Sequence, residues 1–347
     1  MAALFAMRSI AVLLALIQTL VNASCNPKGS CLSCVSAGCR WCVNTNRCVT
    51  KFAAPFKCFG EERADEWLKC PISMKQGYRY SDEFARTKMH PLSVAAYSDN
   101  PQSCLNNILK GAEVKFKITG QCHGRKPENC SGFAAISNTE KAIILSFRGS
   151  KGISQLTSQA IETAFGKSFV DLDGAGRVNS YFYRTFIYIW NAGMKESLRS
   201  MLQEHPDYEI WVTGHSLGGA MASIASTVII RDRMHTTDKL KLVTFGQPRT
   251  GDRNYAVAHN SMVYYSYRVV HRDDAVSHIP SRTIFRYFHH RYEIWYDNEM
   301  LANEPYQLCT TEGDSCSNAR WLKRSILDHV FYFGKRYSVY VKEICQN

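Results

Sequence analysis

Beyond residue 23, no stretch of the chain stays apolar for the roughly 20 positions that a bilayer-spanning helix needs. No internal repeat and no low-complexity tract interrupts it, which sets aside solenoid arrays and tail-like segments. A basic run is also missing. Lys and Arg outnumber Asp and Glu by 42 to 30, yet the positives are scattered as Arg231/Arg233, Lys239/Lys241, His289-His290-Arg291 and Arg320/Lys323/Arg324. No nucleic-acid-binding motif accompanies them, so nucleic acid is not expected as a partner. The surplus reads as solvation, with some attraction to anionic lipid surfaces. What is present is globular material. Of 347 residues, 45% are apolar and 12% aromatic, too hydrophobic for a disordered chain and long enough for a large domain beside a small one.

The 14 cysteines call for an oxidising compartment. Arg8 precedes an apolar run from Ile10 to Val21, and Val21-Asn22-Ala23 precedes a cleavage point. Residues 1–23 read as a secretory signal peptide, starting at Met1 or Met7, which predicts a soluble, secreted, extracellular protein. The even cysteine count then predicts seven disulfides and no metal, although two Cys-x-x-Cys pairs would suit zinc in a reducing compartment. Eight cysteines crowd between Cys25 and Cys70, so residues 24–71 form a module too small to hold together by apolar burial alone. Its pattern Cys31-x-x-Cys34, Cys39-Arg-Trp-Cys42, Cys48 resembles the plexin–semaphorin–integrin module. The resemblance implies the bridges Cys25–Cys39, Cys31–Cys70, Cys34–Cys48 and Cys42–Cys58; among the 105 pairings of eight cysteines, spacing alone selects none. No protein partner of this module is legible.

From residue 72 to 347 the pattern alternates. Strand-like runs Lys141–Phe147, Glu209–Thr213, Leu240–Phe245 and Met262–Val270 are separated by longer stretches, among them a helix over Ala220–Arg231. Such alternation predicts an α/β domain, a mostly parallel central sheet with helices on both faces. Gly214-His215-Ser216-Leu217-Gly218-Gly219 sits where one strand ends and a helix begins. A serine hydroxyl is a weak nucleophile and must be pushed out of the sheet toward a base and a substrate carbonyl. A sharp turn with side-chain-free neighbours two residues to either side does this. The base would be a histidine downstream, oriented by a carboxylate. Asp273 and Asp274 follow the Met262–Val270 strand, and His278, His289 and His329 come later. Spacing leaves these alternatives open.

Further segments add up to a resemblance. Phe147-Arg148-Gly149-Ser150, the elbow, Thr244-Phe245-Gly246-Gln247-Pro248-Arg249-Thr250-Gly251, Asp274-x-Val276 with Pro280, Glu293-Ile294-Trp295-Tyr296 and Asp328-His329 occur in that order. From about Ala95 to Cys345 the chain resembles the fungal-type (class 3) lipases, secreted α/β-hydrolases acting on acylglycerols. The resemblance implies Ser216 as nucleophile, Asp274 as orienting acid and His329 as base. It implies an oxyanion hole made by Leu217 and Ser150. It implies Cys104–Cys345, with Cys122–Cys130 and Cys309–Cys316 as local staples. Residues Ile153 to Phe165 carry apolar positions at helical spacing, where the family has a lid helix, here without tryptophan. Val178-Asn179-Ser180-Tyr181-Phe182 departs from the family's Val-His-x-Gly-Phe, and Ser277 replaces a proline. Asn129-Cys130-Ser131 is a glycosylation sequon. The implied function is a secreted serine hydrolase that cleaves lipid esters, chiefly triacylglycerols, at a lipid–water interface, without metal or organic cofactor. Phospholipase A and non-lipid carboxylesterase activity are the alternatives on the same fold.

Overall fold

Strands buried on both faces of a sheet tend toward continuous apolar runs, which Ala142–Phe147 and Leu240–Phe245 approach, whereas Tyr265–His271 is buried throughout although it carries Ser266, Arg268 and His271. A computed structural model describes residues 25, 29–59, 63–72, 74–121, 129–150, 168–310, 312, 316–320 and 325–346. The chain divides into two compact units, one formed by Met1–Ser73 with Thr310–Gly313 and the other by Met74–Cys309 with Asp314–Asn347.

In the first unit, three short strands, β1 (Arg40–Cys42), β2 (Arg47–Val49) and β3 (Arg63–Ala64), pair antiparallel in the order β2-β1-β3. A one-turn-and-a-half helix, Cys31–Ser36, is capped by the Ser30 hydroxyl, which accepts from the Ser33 N–H. The core is largely sulfur: Trp41 packs with Cys31, Cys34, Cys39, Cys48, Cys70 and Ala64. The bridges are Cys25–Cys39, Cys31–Cys70, Cys34–Cys48 and Cys42–Cys58, the pairing implied by the module resemblance. Closing the 39-residue separation between Cys31 and Cys70 alone removes chain entropy worth about 4 kcal/mol, more than so small an apolar core supplies.

The second unit is built on an eight-stranded sheet. Its strands are β4 (Ala112–Gln121), β5 (Asn129–Ser137), β6 (Ala142–Phe147), β9 (Glu209–His215), β10 (Leu240–Phe245), β11 (Tyr265–His271), β12 (Glu293–Tyr296) and β13 (Gln307–Cys309), in the order β13-β12-β11-β10-β9-β6-β5-β4. A separate hairpin supplies β7 (Phe169–Asp171) and β8 (Arg177–Asn179). From β6 through β12 all pairs in the sheet are parallel, whereas β4, β5 and β13 join antiparallel. The sheet is therefore mostly parallel, with helices covering it, an α/β-hydrolase arrangement.

Two boundaries differ from the sequence expectation. The helix expected from Ala220 starts three residues earlier, running Leu217–Arg231, because the elbow feeds straight into it. The strand expected from Met262 begins at Tyr265, because a helix capped by Asp252 (Oδ1 accepting from Tyr255 N–H, 2.9 Å) continues through Met262. Cys104–Cys345 and Cys309–Cys316 are bridged, and Cys122 lies outside the described residues.

Candidate active site

The elbow follows from local sterics. Ser216 stands between β9 and the helix Leu217–Arg231 at φ 59°, ψ −130°, a conformation that side chains rarely adopt. The turn is so tight that a Cβ on Gly214 would lie 2.3 Å from the Gly218 carbonyl oxygen, and one on Gly218 2.1 Å from the Phe147 oxygen. Glycine is obligatory at both positions. The Ser216 N–H donates to the Phe245 carbonyl (2.9 Å), which pins the elbow to the end of β10. The Ser216 Oγ is buried and has no hydrogen-bond partner among the described residues.

Asp274 lies just past β11 and is completely buried. Its carboxylate accepts from the Val276 N–H (2.8 Å), from the Tyr332 hydroxyl (2.7 Å) and from His329 Nδ1 (2.9 Å to either oxygen). Burial alone would raise its pKa. The charge of His329 and these hydrogen bonds outweigh burial and hold the carboxyl well below the usual range. Asp273, one residue earlier, is instead ion-paired to Arg320 (3.2 Å) and donates its N–H to Asp328. The structure thus brings Asp274, not Asp273, to a histidine.

That histidine is His329, in the short helix Ile326–Val330 capped by Ser325. With Nδ1 committed to Asp274, its Nε2 is buried and without a partner among the described residues, like the Ser216 Oγ. The open alternatives lie elsewhere: His278 Nδ1 meets Asn318, and His289 Nε2 meets the Ser277 carbonyl. Gly246, at φ 58°, forms the floor beneath the His–Asp pair. A Cβ there would come within 2.7 Å of Asp274 Oδ2 and of His329 Cε1 and Nδ1.

Three polar residues around this pair escaped the sequence reading. His215 Nε2 faces the His329 carbonyl at 2.7 Å, and a carbonyl only accepts, so Nε2 carries the proton. Its Nδ1 then accepts from the Tyr97 hydroxyl (2.8 Å), which itself takes a hydrogen bond from the Gly149 N–H. Burial, and next the nearby His329, push the His215 pKa far down, so the ring stays neutral. It lies 4.5 Å from the His329 ring, centroid to centroid, and stacks on Tyr337 at 3.9 Å. One hydrogen-bond chain therefore runs from the Gly149 loop through Tyr97 and His215 to the backbone of His329. The third residue is Tyr332, whose hydroxyl bonds Asp274. The only sequence hint was the position of His215 beside the candidate nucleophile.

Leu217 is the first residue of its helix, where backbone N–H groups lack intrahelical acceptors. The loop Arg148-Gly149-Ser150 is drawn to the same spot: a Cβ on Gly149 would lie 3.0 Å from the Ser216 Cβ. Arg148 anchors that loop through its N–H on the Ser131 carbonyl (2.9 Å) and its guanidinium on the Asn129 carbonyl. Ser150 is half-buried and is the last described residue of the loop; the lid segment expected over Ile153–Phe165 lies outside the described residues. Asn179 caps the helix Ser180–Ile189, its Oδ1 accepting from Tyr181 N–H and its amide donating to Tyr287 (2.9 Å each). Asn129 is exposed at the start of β5, with Ser131 buried beside it. Two groups of potential metal-ligating side chains occur among the described residues, Cys25/Cys39/Cys48 and Glu293/Cys309/Cys316. All their sulfurs are in disulfides and offer no thiolate.

Residues 144–284 match the family described as Lipase (class 3). Lipase ZK262.3 of Caenorhabditis elegans is 31% identical over 291 residues, which cover 74% of this chain and 80% of that protein. The secreted mono- and diacylglycerol lipase 1 of Fusarium solani is 28% identical over 220 residues, 62% of this chain and 63% of that one. Among solved structures, a triacylglycerol lipase whose catalytic centre is a serine-protease triad superposes with a TM-score of 0.64 over 77% of this chain and 98% of its own. At 24% identity that likeness shows the fold.

Proposed function

The chain belongs to the class 3 lipases and is a carboxylic ester hydrolase, and from this premise we propose that Ser216, His329 and Asp274 hydrolyse lipid esters, chiefly triacylglycerols, through an acyl-enzyme. The observation that carries the reading is the buried Asp274–His329 pair, whose Nε2 has no hydrogen-bond partner among the described residues, together with the buried Ser216 hydroxyl, which has none there either; the two do not hydrogen-bond each other in this state. His329 Nε2 takes the Ser216 proton as Oγ attacks the ester carbonyl. Asp274 keeps the other ring nitrogen protonated and stabilises the imidazolium that forms. The Leu217 N–H, with the N–H and hydroxyl of Ser150, receives the negative oxygen of the tetrahedral intermediate. Losing one such donor typically costs on the order of 10²–10³ in turnover. His329 returns the proton to the departing alcohol, and water then enters by the same route to release the fatty acid. His215 and Tyr97 hold the base and the oxyanion loop in register.

The same reading covers the rest of the chain. Residues 1–23 act as a leader, 24–71 as the cysteine-rich module and 72–347 as the hydrolase, in an extracellular protein glycosylated at Asn129. The bridged cysteines support an oxidising destination. Among the described residues no helix is long and apolar enough to cross a membrane. Cys122–Cys130 completes the bridges. The test compares triolein emulsion, phosphatidylcholine and a short soluble ester with wild-type protein and Ser216→Ala. Triolein turnover that vanishes in the variant supports the proposal. Turnover of the soluble ester alone removes the lipid assignment, and full activity of Ser216→Ala removes the triad.

A further inference from the structure

We propose that the cysteine-rich module is a lipid-surface anchor, with Phe52, Phe56 and Phe59 entering the lipid and Lys51 and Lys57 meeting its anionic headgroups. Among the described residues these rings are the most exposed large apolar side chains of the chain, at 86%, 84% and 88%. Scattered exposed apolar residues are ordinary, but three such rings within eight positions make a patch. The backbone beneath them is held fast. Ala54 and Cys58 between the rings are fully buried, Cys58 is bridged to Cys42, and the turn closes through Lys57 N–H to Ala53 O (2.9 Å) and Cys58 N–H to Ala54 O (3.0 Å). The module's buried side chains are its cystines with Trp41, Val49, Ala54, Ala64, Trp67 and Leu68, and none of the three rings is among them. Lys51 and Lys57 are exposed and have no ion-pair partner among the described residues.

Rings presented from a rigid turn, rimmed by unpaired ammonium groups, suit the boundary between headgroups and acyl chains: the apolar bodies enter and the charges meet phosphate. A protein groove that takes a helix reads apolar anchors over two or more turns, and here the helical segment Ala54–Lys57 has four residues. The inference rests on the lipid-ester reading above, in which the substrate lies in such a surface.

The experiment uses the full chain and vesicles of phosphatidylcholine with about one-fifth phosphatidylserine, read by co-sedimentation. In the triple variant Phe52→Ser/Phe56→Ser/Phe59→Ser, partitioning should weaken roughly tenfold per ring, on the order of 10²–10³-fold in all. Replacing the three by Trp should restore it, and Lys51→Ser/Lys57→Ser should weaken binding only to vesicles carrying phosphatidylserine. Turnover of a soluble ester should stay unchanged in every variant, while triolein hydrolysis at low lipid falls with partitioning. A triple variant that binds as tightly as wild type, or a wild type that does not bind, overturns the anchor. So does a wild-type dimer that the triple variant converts to monomer without change in vesicle binding. Wild type that binds vesicles yet cleaves no ester supports the anchor and overturns the catalytic reading instead.

Discussion

Asp274→Asn keeps the shape of the side chain and removes its charge. In the wild type a carboxylate with no solvent exposure lies 2.9 Å from His329 Nδ1, with its charge centre about 4 Å from that of the imidazolium formed during attack. At an effective dielectric of about 20 that attraction is about 4 kcal/mol, or roughly three decades in rate. A second effect compounds it. The Val276 N–H, which can only donate, holds Oδ1, so the asparagine oxygen keeps that place and its amide takes the place of Oδ2, facing the Tyr332 hydroxyl and His329 Nδ1. An amide donor there favours the tautomer with the proton on Nε2, which cannot accept from Ser216. Turnover of p-nitrophenyl butyrate, a soluble ester that bypasses interfacial binding, should fall about 10³–10⁴-fold with KM nearly unchanged. A loss smaller than tenfold in a folded variant refutes the reasoning, because neither the charge nor the tautomer would then matter.

Gly246→Ala places a methyl 2.7 Å from three atoms of the His–Asp pair, so kcat should drop at least 10²-fold, while melting shifts by only a few degrees; wild-type kcat would show that the pair has room to move. Tyr97→Phe removes the link between the Gly149 loop and His215 and leaves a buried Nδ1 unpaired, for a loss of about 1–3 kcal/mol in urea unfolding and roughly tenfold in kcat. Unchanged stability and rate together would contradict the chain of hydrogen bonds. Stability should also fall with acid. Burial pushes His90 and His259 down to about 3, while the unfolded chain takes up protons near pH 6.5. Below that pH the unfolded state binds more protons than the folded one, so each histidine removes about 1.4 kcal/mol per pH unit until its folded pKa is reached. His215, His289 and His290 are shifted in the same direction, chiefly by burial. Unfolding free energies that stay level from pH 7 to 5 would contradict neutral buried rings.

The elbow was legible because its logic is local: Gly214 and Gly218 flank Ser216 at fixed offsets, and their contacts are made within one turn. The interior strands were legible for a similar reason, since burial on both faces keeps β6 and β10 mostly apolar, interrupted only by Ser146 in one and by Lys241 and Thr244 in the other. The choice of acid was not legible from spacing, and only the family resemblance pointed to Asp274. Asp273 and Asp274 have the same neighbours in sequence, and only a turn closed by the Asp274 N–H on the His271 carbonyl (3.0 Å) sends them to opposite partners. Residue types alone likewise left His278, His289 and His329 equivalent; the family resemblance pointed to His329, and the fold places it against Asp274. Tyr97, His215 and Tyr332 were invisible because each is meaningful only through contacts between segments more than 50 residues apart. The start of β11 was misplaced because a side-chain cap at Asp252 carries a helix through apolar Met262, which propensity alone assigns to the strand.

The most direct measurement is peptide mapping by mass spectrometry after the full chain is inactivated with an alkyl fluorophosphonate. One adduct per chain, on the peptide containing Ser216 and lost in His329→Ala, is the predicted result. Complete inactivation with Ser216 unmodified would contradict it.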